Sequence, residues 1–116
     1  MSEYATISVE QLKERLNAGE NLHLIDVRED EEVAQGMIPG ALHLPLGQVP
    51  QRLDEIPRDE EVIFICRSGY RSGQACEYLT SLGFKKPVNL LGGMLAWQRD
   101  GRRDVAALWF EASALA

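Results

Sequence analysis

Cysteine is scarce in this chain. It has two in 116 residues, Cys66 and Cys76. That number makes no disulfide framework. It suits a reducing compartment, and the cytoplasm is the expectation. Positive charge is also in deficit: 12 Lys and Arg stand against 18 Asp and Glu, for a formal net charge of -6. Such a balance argues against a nucleic-acid footprint or an anionic membrane surface. No apolar run approaches ~20 residues, so no segment reads as a bilayer span. The opening Met1-Ser2-Glu3-Tyr4 has no basic stretch followed by an apolar one, so no signal peptide is expected. His23 and His43 lack a paired ligand motif, and no metal is expected at either. There is no internal repeat, linker or low-complexity segment.

What remains is an ordinary globular composition, 45% hydrophobic and 26% charged. One domain of this size buries a core without disulfides or metals. Ser8 and Gln11 form a capping-box pattern ahead of Val9, Leu12 and Leu16, and Gly19 stops that helix. Leu22 to Val27 reads as a buried strand. Arg28 follows, then the acids Glu29 to Glu32, which read as the solvated first turn of a short helix. Gly36-Met37-Ile38-Pro39-Gly40 is a loop, and Ala41 to Leu44 a short strand closed by Pro45. Val62 to Ile65 has no polar position, so it belongs at the centre of a sheet covered on both sides. A helix is expected over Ser72 to Leu82, a strand over Val88 to Leu91, and a helix from Gly92-Gly93 through Trp97, whose indole reads as core. Strands alternating with helices predict an α/β domain, a parallel sheet with helices on both faces. The domain is expected over residues 1–101. Val105, Leu108, Trp109, Ala112 and Leu115 fall on one helical stripe, so 102–116 reads as a helical extension packed on the same domain.

The chemistry concentrates at Cys66. It closes the run Val62-Ile63-Phe64-Ile65 and opens Cys66-Arg67-Ser68-Gly69-Tyr70-Arg71-Ser72-Gly73. A strand-to-helix turn can direct successive N–H groups inward as an anion-holding nest, and the helix aims its positive end at the sulfur. Arg67 and Arg71 add positive charge, and Ser68 and Ser72 offer hydroxyl donors. Gly69 and Gly73 are expected to allow tight turns. Together these favour a thiolate at neutral pH. The same cradle suits a charged group carried on the sulfur, such as a persulfide. The bland reading, a buried strand cysteine, is disfavoured by two arginines so close behind it. Cys76 reads as a small buried hydrophobe, since about 15 Å of helix separates residues ten apart.

This loop resembles the active loop of the rhodanese family of sulfurtransferases. So do Asp26-Val27-Arg28-Glu29, Gly36-Met37-Ile38-Pro39-Gly40-Ala41 and Gly92-Gly93-Met94-Leu95-Ala96-Trp97, in the family's order across about residues 5 to 100. The resemblance implies a rhodanese-like fold, with a central, mostly parallel five-stranded sheet and helices on both faces, and thiosulfate sulfurtransferase activity. Cys66 would take the sulfane sulfur from thiosulfate or a persulfide donor and pass it to cyanide, a thiol or a protein acceptor. The stretch Arg67, Ser68, Gly69, Tyr70, Arg71 and Ser72 would bind substrate, with the arginines holding the anionic donor. Asp26 and Arg28 would give structural support, Arg28 being ion-paired beneath the loop. No cofactor is implied, and a monomer or weak homodimer is expected. Met37 stands where a histidine is common, and Met94 where a tryptophan often follows the glycine pair, which bears on the shape of the pocket rim; both bear on substrate choice. Two alternatives stay open: a non-catalytic binding module, and an arsenate reductase or phosphatase. Related phosphatases carry one more residue between cysteine and arginine, which gives a wider ring.

Overall fold

The computed structural model describes residues 3–99. The extension expected at 102–116 lies outside the described residues. A single sheet organises the rest. Its strands are β1 (Ala5–Ile7), β2 (His23–Asp26), β3 (Leu42–His43), β4 (Glu61–Ile65) and β5 (Lys86–Leu90), in the spatial order β1-β5-β4-β2-β3. Every neighbouring pair is parallel. The helices are α1 (Val9–Asn17), α2 (Asp30–Val33), α3 (Tyr70–Ser81) and α4 (Gly93–Ala96), with short 3-10 turns at Leu46–Gln51 and Leu53–Glu55.

Local sequence explains the boundaries. Ser8 Oγ accepts from the Gln11 amide, and Gln11 Oε1 accepts from the Ser8 amide, each at 3.0 Å, so α1 starts on the expected capping box. β1 was not legible as a strand. It spans three residues, and only Ile7 among them is buried, which is too little for a periodic pattern. α3 begins at Tyr70, earlier than the apolar pattern suggests, because Gly69 turns the chain at φ 103°. Few residues other than glycine take that conformation without strain.

Apolar residues cover both faces of the sheet. One core joins Ile63 and Ile65 of β4 to Val9, Leu12, Met94 and Trp97. The other joins Val62, Phe64 and Cys66 to Ala75, Cys76 and Leu79 of α3. Neighbouring β4 residues therefore serve opposite cores, as the two-residue period of a strand requires. This is the reason Val62 to Ile65 carries no polar position.

The topology also places the site. β2 and β3 lie on one side of β4, while β5 and β1 lie on the other. The crevice beyond the carboxyl end of a strand at such a reversal is where open α/β sheets present their reactive groups. β4 ends there, one residue before Cys66. Among the described residues no helix is long and apolar enough to cross a membrane.

Candidate active site

The strand period aims Cys66 at the α3 side, and the chain then turns over it. Cys66 is 1% exposed, beneath a loop whose Arg67, Ser68 and Tyr70 face solvent. The Gly69 amide donates to Cys66 Sγ at 3.0 Å. Ser72 Oγ lies 3.3 Å from it, and the backbone amides of Ser72 and Ser68 also favour its charged form. Burial pushes the thiol up. The Ser72 hydroxyl, when its proton is turned to the sulfur, and the amides of Ser72, Gly69 and Ser68 pull it down further, leaving it below the ordinary thiol range. The result is more thiolate at neutral pH than a free cysteine would have. Cys76 is the contrast. It is fully buried on α3, and burial together with the charge of Cys66 pushes its thiol up to about 12. It is a packing residue with no nucleophilic character at neutral pH.

The ring of amides faces the sulfur because its carbonyls are held elsewhere. Cys66 C=O accepts from the Met94 amide at 2.8 Å, and Arg67 C=O from the Leu95 amide at 3.0 Å. Gly69 C=O accepts from the Gly73 amide and from Asn89 Nδ2, both at 3.1 Å. In a trans peptide the N–H points opposite to the C=O. Drawing Arg67 C=O toward α4 therefore turns the Ser68 N–H the other way, onto the sulfur. This gives the Gly92-Gly93 segment a physical role. Gly93 sits at φ 55°, and a Cβ on it would lie 2.4 Å from Cys66 O and 2.6 Å from Arg67 O. Only glycine lets α4 approach closely enough to pull those carbonyls out of the ring.

The arginines divide. Arg67 is exposed and its guanidinium has no partner among the described residues. Arg71 instead makes a two-pronged ion pair with Glu32 of α2, at 2.7 and 2.8 Å. Its guanidinium is raised by this hydrogen bonding and also senses the charge of Cys66. The Arg71 pair and a hydrogen bond from the Glu29 backbone hold the Glu32 carboxyl at about 2. The acids were expected to form only a solvated helix start, and for Glu32 that expectation is corrected. Glu29, Asp30 and Glu31 are exposed, but Glu32 ties α2 to α3 beside the sulfur loop.

Beneath lies a buried pair. Arg28 Nε and Nη2 close on the two carboxylate oxygens of Asp26 at 2.8 to 3.1 Å, and both side chains are nearly inaccessible. The remaining guanidinium donors reach Glu32 C=O at 3.3 Å and Gly36 C=O at 2.7 Å. Arg28 thereby joins the end of β2 to α2 and to the loop after it. Leaving one charge of such a buried pair without its partner costs about 3–5 kcal/mol. Neither side chain hydrogen-bonds to the sulfur.

Comparison with known proteins identifies the family. The family profile of the Rhodanese-like domain matches residues 8–100. The chain belongs to the rhodanese family. A relative named putative sulfurtransferase YtwF from Bacillus subtilis is 53% identical over 96 residues, covering 83% of this chain and 92% of that protein. A protein named sulfurtransferase from Allochromatium vinosum is 49% identical over 100 residues, covering 86% of this chain and 94% of its own. Among solved structures, the rhodanese-like domain protein from Staphylococcus aureus superposes with a TM-score of 0.76 at 36% identity, covering 80% of this chain and 90% of that one.

Within this rhodanese domain, several residues have places the sequence did not suggest. Gly73 was expected to allow a turn, but it lies inside α3 with no positive φ. Its reason is space, since a Cβ there would lie 2.9 Å from the Tyr4 hydroxyl and 3.3 Å from Asn89 Nδ2. Met94, expected to shape the pocket rim, is 5% exposed in the α1-side core, so it does not form the rim. The exposed apolar residues of that segment are Leu91 and Leu95. Asn89 was overlooked altogether. It is buried in β5 and bonds to Ser72 and to Gly69 C=O. An asparagine inside Val88-Asn89-Leu90, where every neighbour is apolar, was the available sign.

Proposed function

We propose that this domain moves a sulfane sulfur from thiosulfate or a persulfide donor to a thiophilic acceptor by double displacement, with Cys66 as the carrier. The Cys66 thiolate attacks the outer sulfur of thiosulfate. A sulfur–sulfur bond forms, the thiosulfate S–S bond breaks, and its electron pair leaves on sulfite. A terminal persulfide, negatively charged, then stands on Cys66. Cyanide, a thiol or a protein acceptor attacks the terminal sulfur, and the bonding pair returns to Cys66 as thiolate. Atoms and charge balance in both steps, and no cofactor takes part.

The observation that carries this reading is the ring. The Gly69 amide donates to Sγ at 3.0 Å, the Ser72 hydroxyl lies 3.3 Å from it, and the Ser72 and Ser68 amides also favour its charged form. Donors preorganised around a charged sulfur stabilise it without reorganisation at the moment of transfer. Four residues between Cys66 and Arg71 keep the ring narrow, which favours a single sulfur over a tetrahedral phosphate. Arg67, exposed and without a partner among the described residues, would attract the dianionic donor, while Arg71 adds charge but is anchored by Glu32. Both cysteines are free thiols, which suits a reducing compartment such as the cytoplasm.

The scheme is tested by steady-state kinetics with thiosulfate and cyanide varied together. Parallel double-reciprocal lines are expected, since sulfite leaves before the acceptor reacts. Intersecting lines would mean that both substrates bind before any sulfur moves, and would reject the carrier scheme.

A further inference from the structure

The Ser72 hydroxyl has one proton and faces two acceptors. Its Oγ lies 2.5 Å from Asn89 Oδ1 and 3.3 Å from Cys66 Sγ. The Asn89 amide is oriented by its other end, where Nδ2 donates to Gly69 C=O at 3.1 Å. Oδ1 is an acceptor only, so the short contact requires the Ser72 proton. With that proton committed to Asn89, the 3.3 Å contact is not the Ser72-to-sulfur donation its geometry also allows, and the proton between Ser72 Oγ and the sulfur comes from the thiol itself. A closed circuit results: Sγ–H to Ser72 Oγ, Ser72 O–H to Asn89 Oδ1, Asn89 Nδ2–H to Gly69 C=O, and Gly69 N–H back to Sγ. A charged sulfur has no proton to give. It needs the Ser72 hydroxyl turned toward it, which leaves two oxygen lone pairs opposed across the short gap.

We propose that Asn89 is a positioning residue that competes with Cys66 for the Ser72 proton and so favours the uncharged thiol in the empty site. The inference rests on Cys66 being the reactive sulfur of the proposed function and adds a control on it. The loop amides draw Cys66 toward thiolate, and Asn89 restrains that draw through Ser72. An idle thiol so restrained reacts more slowly with adventitious electrophiles.

The other ionisable groups around Cys66 are placed as follows. α3 contributes Arg71, closed on Glu32 of α2, and Cys76. At the end of β2, Asp26 and Arg28 are closed on each other. Arg67 and Tyr70 lie on the loop itself and face solvent. Tyr4 packs against the α3-side core with its hydroxyl near Gly73. β5 offers no ionisable group at this end, and α4 has none. Among the described residues that touch Ser72 Oγ, only Asn89 competes with the sulfur.

The test is the rate of Cys66 alkylation by iodoacetamide as a function of pH, read by peptide mass spectrometry. Asn89→Leu frees the Ser72 hydroxyl to donate to sulfur. The midpoint of the profile should fall by about one pH unit, the worth of one hydrogen bond to a charged group. In a Ser72→Ala background the same substitution should cause no such fall. A rise or no change in the single variant would overturn the proposal, because a merely structural Asn89 loosens the ring and makes the thiol less acidic. A fall that persists without Ser72 would overturn it too. Should Asn89→Leu fail to fold, Ser72→Ala alone decides. Its midpoint should not rise while Asn89 is present, and a rise of about one unit would show that the hydroxyl already serves the thiolate. Alkylation needs no sulfur donor, so the result is separate from whether thiosulfate loads the protein.

Discussion

Cys66→Ser is expected to lower kcat/KM for sulfur transfer at least about a thousandfold, because the attacking atom and the carrier are the same atom. A serine hydroxyl is almost entirely protonated at neutral pH, and the ring cannot acidify it far enough. Nor can oxygen take the place of sulfur in a persulfide. The fold should persist. The site is buried, but the Gly69 amide that bonds to Sγ can bond to a hydroxyl instead. The urea midpoint should correspond to a change of no more than about 1 kcal/mol. Cys76→Ala should keep turnover, since that thiol is held near 12 and packs in the core behind α3. Steady-state assays with denaturation curves check both. Activity retained in Cys66→Ser would show that the nucleophile lies elsewhere.

Gly93→Ala is the second large effect, and it concerns the shape of the ring. Its new methyl would meet Cys66 O and Arg67 O at distances real carbon atoms do not tolerate, and both contacts are backbone. Something must move, and what stands there is the first turn of the sulfur loop. A left-handed backbone costs a residue with a Cβ about 1–2 kcal/mol. Overpacking adds typically 1–3 kcal/mol. Losing the Met94 and Leu95 bonds would free the Cys66 and Arg67 carbonyls to swing inward and oppose a negative sulfur. A loss of at least about a hundredfold in kcat/KM is expected, of the size seen when a donor to a developing anion is removed. Gly40→Ala separates the two causes. Its φ is 87°, but nothing lies within 4 Å of the added carbon. It should destabilise by strain alone and leave kcat/KM near that of the parent. Equal losses of activity in both would mean that strain, and not the position of α4, disables the enzyme.

The contrast between what the sequence foretold and what it hid has physical causes. The central strand was legible because burial on both faces removes every polar residue from Val62 to Ile65. The reactive loop was legible because a cysteine followed by glycine, serine and arginine has few structural uses. Asp26 and Arg28 were legible through their resemblance to a family motif, and the structure places them as a closed, buried pair. The Glu32–Arg71 pair was not, since it joins residues 39 apart and depends on how α2 is turned against α3. Within the run Glu29 to Glu32, periodicity alone did not single out the acid that would find a partner. Asn89 was hidden for a related reason. Its partners, Gly69 and Ser72, lie on a different element, and only the register that pairs Phe64 with Asn89 brings them together. β1 was hidden because three residues at a sheet edge carry no pattern.

The most direct measurement is intact-protein and peptide mass spectrometry after brief exposure to thiosulfate and removal of the excess. The account predicts a mass gain of one sulfur atom, located on the peptide holding Cys66, lost on adding cyanide, and absent from Cys66→Ser. An unmodified Cys66, under conditions that load another sulfurtransferase treated alongside, would contradict the claim that this ring is built to hold a charged sulfur.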